Sequence, residues 1–432
     1  MERSHISELK DKQKAMISGF LEESRILSKI AFLVIRDVTG KIQCVIKSDD
    51  SNNFELAKKI NKKSVVSIAG TVSSKNKVNE LLVEKIEILS EAESPLPIPI
   101  VEKGEVTTAL NKRLDWRFLD LRKEKNMLIM KILSTLEKGM RDYWINNGFI
   151  EIHSPKFMGS PSESGAELFM VPYFGKEAFL AQSPQFYKQM AMAAGFERVF
   201  EIGPVFRANP SHTTRHDTEY TSIDMEVSYI KDHHDVMRIE SEWLAHAFKI
   251  VKEEFGKEIK KEFGIDLEVP KLPFPKVSMI EAYKIIEEMG GTVKHGEDIE
   301  PEHEKMLCEW AKKKHDHDFV FIYDWPISVR PFYHMRTDDG KNTKSFDLLY
   351  KNIEITSGAQ REHRYDVLKK QIIEKKIELN QGMIDYINFF KYGCPPHGGL
   401  GLSSTRVVMQ MLDLKNVREA TYLPRDTERL TP

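Results

Sequence analysis

The first part of the chain alternates apolar and polar residues in short runs that are bounded by turn residues. From Ala15 the runs AMISGFL, IAFLVIRDVTG and KIQCVI read as strands, and Thr39-Gly40 marks a tight turn between two of them. A charged helical stretch, SNNFELAKKI, precedes two further strands, SVVSIAGTV and ELLVEKIEIL. Five strands with a late helix predict an OB-fold barrel over residues 1–95, a fold that binds oligonucleotides.

A longer-period pattern begins after a proline-containing stretch, SPLPIPI, which reads as an extended linker near Pro95 to Ile100. We place the linker or hinge between the domains at residues 96–120. Apolar residues then recur at helical spacing from Met127 to Trp144, and Asn147-Gly148 is typical of a helix end. The strand FIEI follows. We therefore predict a second domain over residues 121–432, with a helical insertion at about 231–340, and an α+β fold for the whole chain.

The most informative stretch runs from Phe200 to Ile230 and reads as two strands joined by a long polar loop. It contains cationic side chains suited to phosphate oxygens and a ring on which a base can stack. The residues concerned are Arg207, Arg215, His216, Glu219 and Tyr220. A bound nucleotide and a solvated loop with surface charges explain this stretch equally well.

A second chemical pattern lies near the C-terminus, where SFDLLYKNIEITSG predicts two strands around Lys351-Asn352. Asp347, Glu354 and Ser357 are oxygen donors in apolar surroundings, which suits Mg²⁺ carried by phosphates. A salt-bridged strand face is the alternative. The glycine-rich run PPHGGLGL then opens a helix with Arg406 in its first turn.

Composition limits the class of protein but does not identify a binding partner. The chain has 432 residues, 41% of them hydrophobic and 30% charged, which fits a globular protein of two domains. No apolar run predicts a membrane span, and the N-terminus lacks a signal-peptide core. The scattered cysteines, Cys44, Cys308 and Cys394, favour a reducing cytosol over a disulfide framework or a metal site. A net charge of −2 neither supports nor excludes RNA binding.

Several segments together resemble the class II aminoacyl-tRNA synthetases, and among them the aspartyl enzymes of archaeal and eukaryotic type. The hairpin resembles their FRxE motif with its RH loop. The other matching segments occur in that family's order: SESGAELF, FLAQSPQFYKQM, SFDLLYKNIEITSGAQREH, PPHGGLGL and PRDTERLTP. The resemblance implies a catalytic domain built on an antiparallel sheet flanked by helices. This domain would form an aspartyl-adenylate from aspartate and ATP and transfer the aspartyl group to tRNA(Asp).

The resemblance also implies roles for individual residues. Aspartate would be bound by Glu163, Gln185, Lys188, Asp224, Ser357 and Arg361. ATP would be bound by Arg207, Arg215, His216, Glu219, Tyr220, Glu354 and Arg406, with Arg207 and Arg406 as the catalytic pair and Mg²⁺ on Asp347, Glu354 and Ser357. The anticodon would meet Phe32, Gln43 and Glu80, although without the resemblance Phe32 is better read as core packing, since it lies in an apolar run. The helix and strand before Pro155 would form a homodimer interface.

Three positions depart from the motifs of that family. Asn209 stands where FRxE has its glutamate, and Ser403 and Thr405 replace the glycine and glutamate of the GLGxER motif. Three alternatives to an aspartate–tRNA ligase therefore stay open: an asparaginyl-tRNA synthetase, an ammonia-dependent asparagine synthetase, and a non-catalytic RNA-binding paralogue. The sequence also leaves open whether tRNA(Asn) is charged in addition to tRNA(Asp).

Overall fold

The computed structural model describes residues 2–75, 78–101, 107–161, 167–210 and 213–432. The chain divides into two compact units, Met1–Pro99 and Ile100–Pro432. Glu163, predicted to close over the amino acid, lies outside the described residues. Within them, no helix combines the length and apolarity needed to cross a bilayer.

The first unit is a closed five-stranded barrel with the strand order β1-β2-β3-β5-β4. Its elements are β1 (Lys14–Ile26), β2 (Ile30–Arg36), β3 (Lys41–Lys47), α1 (Ser51–Lys59), β4 (Val65–Lys75) and β5 (Val78–Ser90). This order and the helix between β3 and β4 confirm the predicted OB-fold.

Alternation along β2 separates the inside of the barrel from its outer face. Ala31, Leu33 and Ile35 are fully buried in the barrel core, whereas Phe32 points the other way and is half-buried. The reading of Phe32 as a core residue is therefore wrong for this fold. Because Phe32 pairs with Val45, and Val34 with Gln43, these side chains share the outer face.

The second unit is built on an eight-stranded sheet with helices packed against it. Its elements, in chain order, are α2 (Leu110–Asp115), α3 (Arg117–Asp120), α4 (Glu124–Asn146), β6 (Ile150–Glu151), β7 (Phe157–Met158), β8 (Met170–Tyr173), β9 (Lys176–Leu180), α5 (Gln185–Ala193), β10 (Arg198–Phe206), β11 (Glu219–Ser228), α6 (His233–Phe263), β12 (Lys276–Ser278), α7 (Met279–Glu288), α8 (Pro301–His315), β13 (Phe319–Tyr323), β14 (Ser345–Tyr350), β15 (Ile353–Gln360), α9 (Tyr365–Glu374), α10 (Gln381–Lys391), β16 (His397–Ser403) and α11 (Ser404–Met411).

The sheet order is β12-β13-β14-β15-β16-β11-β10-β6, and strands β7, β9 and β8 form a small separate sheet. Neighbours in the large sheet are antiparallel except for the β12–β13 and β10–β6 pairs. The predicted hairpin is confirmed as β10 and β11, paired from Arg198 opposite Val227 to Phe206 opposite Glu219. The second strand of the hairpin is buried on both faces from Ser222 to Ser228, so its polar side chains do not face solvent.

Helices α4 and α6 form the main layer beneath this sheet. Trp144 and Trp243 stack with ring centroids 4.4 Å apart, and both are fully buried. The predicted helical insertion at about 231–340 is therefore only partly a separate body. Helix α6 belongs to the main core and β12 and β13 extend the main sheet, whereas α7 and α8 pack with residues of β12 and β13 in a cluster of their own.

Two further segments differ from the sequence expectation. Residues 96–120, predicted as a linker, contain α2 and α3, and Arg117 forms a buried ion pair with Asp120 at 2.9 Å while donating to the backbone carbonyl of Tyr422. A helical pair, α9 and α10, lies between β15 and β16, where no helix was predicted. Both segments are held by contacts with residues distant in sequence, which local periodicity does not report.

Candidate active site

An open cleft crosses the middle of the large sheet, where β10, β11, β15 and β16 are neighbours. It encloses about 1410 Å³ of non-protein space, including open solvent. Eight residues predicted from the sequence line it: Gln185, Arg207, Tyr220, Asp224, Glu354, Ser357, Arg361 and Arg406. They come from four elements, α5, β11, β15 and α11, and from the chain just after β10 and β15, so the fold brings together residues more than 200 positions apart, from Gln185 to Arg406.

A smaller recess shares four of its lining residues with the cleft: Arg207, Tyr220, Ser403 and Arg406. Arg215 and His216 also line this recess, which holds about 430 Å³ of non-protein space, including open solvent. Of the described residues predicted for the catalytic domain, three line neither cavity. Glu219 is exposed at the start of β11, whereas Lys188 and Asp347 are buried.

The floor of the cleft rests on a buried network of four charged side chains. Lys188 Nζ donates to Asp224 Oδ1 at 2.8 Å and to the carbonyl of Leu400 at 3.0 Å. Glu226 lies 3.5 Å from the Lys188 ammonium and accepts from Arg361 Nε at 3.0 Å. Each of the four side chains is at most 4% exposed, so the two positive and two negative charges compensate one another.

This network places Lys188 beneath Asp224 rather than at the surface of the cleft. In this conformation Lys188 therefore acts on a bound molecule indirectly, through its contacts with Asp224 and Glu226. Burial opposes the ionisation of Glu226, but Arg361 and Lys188 outweigh it and hold the Glu226 pKa below its ordinary value.

Two glycines of the predicted glycine-rich run make space for these carboxylates. In the β11–β16 register Gly401 lies opposite Asp224, and Gly399 lies opposite Glu226. A Cβ added at Gly399 would lie 2.2 Å from Glu226 Oε2. The run forms strand β16 and leads directly into α11, and its glycines leave room for buried side chains of the neighbouring strand.

Arg361 is oriented by a second neighbour, His334, which also lines the cleft. Arg361 donates through one terminal nitrogen to His334 Nε2 at 3.0 Å. Burial, followed by the charges of Arg361 and Arg330, holds the His334 pKa well below its ordinary value, so the ring is neutral and accepts this hydrogen bond. The guanidinium is thereby held at two of its edges.

The recess is positively charged. Arg406 donates to the backbone carbonyls of Arg215 at 3.2 Å and Glu354 at 3.0 Å, which orient its guanidinium without neutralising it. Arg207 lies over the ring of Tyr220, 5.9 Å from its centroid. Burial and then the charges of Arg406, Arg215 and Arg207 lower the His216 pKa to about 4, so this histidine is neutral at physiological pH.

The residues predicted to bind a metal are divided between the cleft and an ion pair. Glu354 and Ser357 line the cleft. Asp347 pairs with Arg330 at 2.5 Å, and Arg330 also donates to Ser357 Oγ at 3.1 Å. The described residues contain no group of three or more histidine, cysteine or carboxylate side chains placed to hold a metal ion.

Sequence reasoning missed Arg330 and His334 as cleft residues. Both lie in a segment without regular periodicity, and their partners are Asp347, Ser357 and Arg361. These pairings across 17 to 27 positions leave no local signal in the sequence. The one local feature of the sequence at Arg330 is the proline that follows it.

In the barrel, the three residues predicted to contact an anticodon lie on one outer face. Gln43 pairs with Glu80 in the parallel β3–β5 register and donates to Glu80 Oε1 at 2.7 Å. Phe32 lies on the adjacent strand β2 on the same side. An aromatic ring next to a hydrogen-bonding amide is the arrangement that stacks and reads an unpaired base.

Comparison with known proteins assigns a family to each unit. Residues 109–427 match the model for tRNA synthetases class II (D, K and N), and residues 14–89 match the OB-fold nucleic acid binding domain. The chain is 42% identical over its full length to the full-length aspartate–tRNA(Asp) ligase of Picrophilus torridus. It is also 42% identical to the aspartate–tRNA(Asp/Asn) ligase of Aeropyrum pernix, over 97% of this chain and 96% of that protein.

The fold has a close counterpart among solved structures. Asparaginyl-tRNA synthetase from Pyrococcus horikoshii, complexed with asparaginyl-adenylate, superposes with a TM-score of 0.92 over the whole of both chains, at 31% sequence identity. The cleft and barrel described above therefore belong to an architecture that occurs in both aspartate and asparagine enzymes.

Proposed function

The chain belongs to the class II tRNA synthetases of the D, K and N group, and from that premise we propose that it is an aspartate–tRNA ligase. The observation that supports this most directly is the composition of the cleft. One end holds Arg361 above the buried Lys188–Asp224–Glu226 network, and the other holds Arg207, Tyr220 and Arg406. The Arg361 guanidinium at the amino-acid end and the two arginines at the nucleotide end suit the side-chain carboxylate of aspartate and the phosphates of ATP.

In the proposed reaction, the α-carboxylate of aspartate attacks the α-phosphorus of ATP in line, and pyrophosphate leaves with the electrons of the broken P–O bond. A ribose hydroxyl of the terminal tRNA nucleotide then attacks the carbonyl carbon of the adenylate and releases AMP. Formation of the adenylate requires no protein nucleophile. Arg207 and Arg406 would stabilise the charge on the phosphates, and the cleft would hold the reactants in position.

For the amino acid, Gln185 and Asp224 would bind the ammonium group, and Arg361 would bind the side-chain carboxylate. Lys188 would contribute the second positive charge from beneath the floor. Ser357 lies within the same cleft. Glu163 retains the role that the resemblance implies, as a residue of the loop that closes over the substrate.

For the nucleotide, Tyr220 would stack on the adenine, Glu219 would meet the base edge, and Arg215 and His216 would contact the outer phosphates. Magnesium binds in proteins through one or two carboxylates together with substrate phosphates. Glu354 and Ser357 fit that requirement, whereas Asp347 would take part only after separating from Arg330. When bound, the ion would neutralise phosphate charge, and the arginines would hold the phosphates in place.

We propose three further features of the whole protein. The barrel would bind the anticodon of tRNA(Asp) through Phe32, Gln43 and Glu80. The chain would act as a homodimer through α4 and β6, since Ile145 and Ile150 are 54% and 48% exposed there and β6 is an edge strand. It would work in the cytoplasm, which suits its three free cysteines.

Pyrophosphate exchange into ATP tests the proposal. We expect exchange that depends on aspartate and is much weaker with asparagine, because Arg361 and Lys188 favour an anionic side chain. A stronger response to asparagine would support the second candidate, an asparaginyl-tRNA synthetase, for which the P. horikoshii fold gives a reason. Exchange with neither amino acid, together with retained tRNA binding, would support a non-catalytic RNA-binding protein.

A further inference from the structure

The three positions at which the chain departs from the resembling motifs converge on one place. Asn209 follows β10, whereas Ser403 ends β16 and Thr405 lies in the first turn of α11. All three line the recess that also contains Arg207, Arg215 and Arg406. Asn209 and Thr405, almost 200 positions apart, are thus neutral residues on the same wall of the recess. The motifs that this chain resembles have a glutamate at both positions.

The described lining of the recess contains more cationic than anionic side chains. Asp217 is the one carboxylate among its described lining residues, and it is 8% exposed. Asp217 accepts a hydrogen bond from Thr421 and lies 3.8 Å from Arg418, which does not line the recess. Of the three arginines, Arg215 pairs with Glu304 at 2.9 Å. Arg406 donates to backbone carbonyls and to no carboxylate of the described residues, so its charge remains available to a ligand.

The neutral residues supply hydrogen-bonding groups to this wall without adding negative charge. Ser403 Oγ accepts from the backbone N–H of Arg406 at 3.4 Å and lies 3.1 Å from Thr405 Oγ1. A hydroxyl or an amide can donate to a phosphate oxygen, whereas a carboxylate at the same place would repel it unless a cation lay between them. A recess of this composition disfavours a divalent cation and favours a bare polyanion.

We propose that the recess binds the outer phosphates of ATP directly, through Arg207 and Arg406 with Asn209, Ser403 and Thr405, and without a divalent cation held at that wall. The inference rests on the proposed function, since it concerns the nucleotide of the same reaction. It confines the magnesium requirement to the cleft side, at Glu354 and Ser357. This chain therefore binds ATP in the absence of magnesium.

Equilibrium binding of ATP to the full chain, in magnesium and in EDTA, tests this directly. We expect the two dissociation constants to agree within about threefold, since direct arginine contacts to phosphate do not require a metal. AMP, which lacks the outer phosphates, should bind more weakly than ATP in EDTA. A loss of ATP affinity of about tenfold or more in EDTA, with binding retained in magnesium, would overturn the inference.

Matched variants locate the effect at the wall. Asn209→Glu and Thr405→Glu should each weaken binding of metal-free ATP by about tenfold and be partly rescued by magnesium, because an added carboxylate repels phosphate and attracts the cation. Asn209→Gln and Thr405→Gln introduce a side chain that is similar in size to glutamate but uncharged. These variants should keep the wild-type ratio between the ATP dissociation constants in magnesium and in EDTA. Thr405 is buried, so the half-buried Asn209 provides the decisive pair if a Thr405 variant does not fold.

Identical behaviour of the Glu and Gln variants at position 209 would also contradict the proposal. The outcome is separable from that of the proposed function. Aspartate-dependent exchange in magnesium without ATP binding in EDTA would refute this inference alone. Metal-independent ATP binding without exchange would refute the ligase assignment and leave the phosphate recess in place.

Discussion

At the scale of single residues, the cleft depends on charges that the protein has already compensated internally. Lys188 and Arg361 are balanced by Asp224 and Glu226, and all four are nearly inaccessible. Buried ion pairs add little net stability, but removal of one partner leaves an uncompensated charge and costs about 3–5 kcal/mol. Substitutions in this network therefore affect folding as well as substrate selection, and each needs a charge-conserving control.

Arg361→Leu should reduce the preference for aspartate over asparagine, because the guanidinium is proposed to pair with a carboxylate that an amide cannot replace. The ratio of exchange rates with the two amino acids measures it. The variant should also unfold at a lower temperature, since Glu226 loses its closest cation. Arg361→Lys conserves the charge and should recover much of the stability but less of the preference, because it lacks the planar fork. An unchanged ratio in Arg361→Leu would show that this residue does not read the side chain.

Arg207→Ala should lower aspartate-dependent pyrophosphate exchange by about 10²–10³, the usual effect of losing one preorganised contact to a transition state. Arg207 is exposed, so the thermal unfolding transition should stay close to that of the wild type. Arg238→Ala, which removes an exposed arginine from α6 with its pair to Glu242, serves as the matched control and should leave exchange unchanged. Near-normal exchange in Arg207→Ala would exclude Arg207 from the mechanism.

At the scale of elements, the direction in which each strand presents its side chains decides which residues can act. Strand β11 carries Asp224 and Glu226 into the protein because Lys188 of α5 and Arg361 lie over that face and the glycines of the neighbouring strand β16 leave space there. Strand β2 keeps Ala31 and Leu33 inside the barrel and leaves Phe32 outside. A one-residue shift in either strand would exchange the two sets.

Phe32→Ala should therefore weaken tRNA binding and charging while sparing tRNA-independent exchange. The loss of a stacked base is worth about 1–3 kcal/mol. Unfolding of the barrel should change little, because Phe32 lies outside its core. Leu33→Ala, one position along, is the contrasting variant and should cost about 2–5 kcal/mol of stability. Full tRNA affinity in a folded Phe32→Ala protein would refute the anticodon contact.

At the scale of the whole molecule, the edge of the large sheet has consequences for assembly. Strand β6 ends the sheet order, and Ile145 and Ile150 beside it remain accessible in the single chain. Unpaired edges with exposed apolar side chains are commonly covered by a partner. This arrangement supports the homodimer proposed above.

Sedimentation should accordingly give twice the mass of one chain, and Ile150→Lys should shift the population towards monomer, because a charge would be buried without a partner. Ile280→Lys is the control: Ile280 is equally exposed, at 56%, but lies on α7 in a different cluster. A monomeric wild-type protein, or equal effects of the two substitutions, would argue against an interface at β6.

The sequence by itself determined the elements whose periodicity is local. The barrel strands, the long helix α4, the β10–β11 hairpin and the β14–β15 pair all follow from short-range alternation and turn residues. Eight of the residues that line the cleft were also identified, because the segments that carry them occur in a recognisable order.

Only the tertiary structure decided which charges are buried together. Lys188 lies beneath Asp224, Arg330 pairs with Asp347, Phe32 faces outward, and Asn209, Ser403 and Thr405 share one wall. Helix α6 joined the main core while α7 and α8 formed a cluster of their own, and α9 and α10 lie between β15 and β16 in the chain. Each of these facts depends on contacts between positions distant in sequence, and the energy of a buried charge is determined by those neighbours rather than by the local chain.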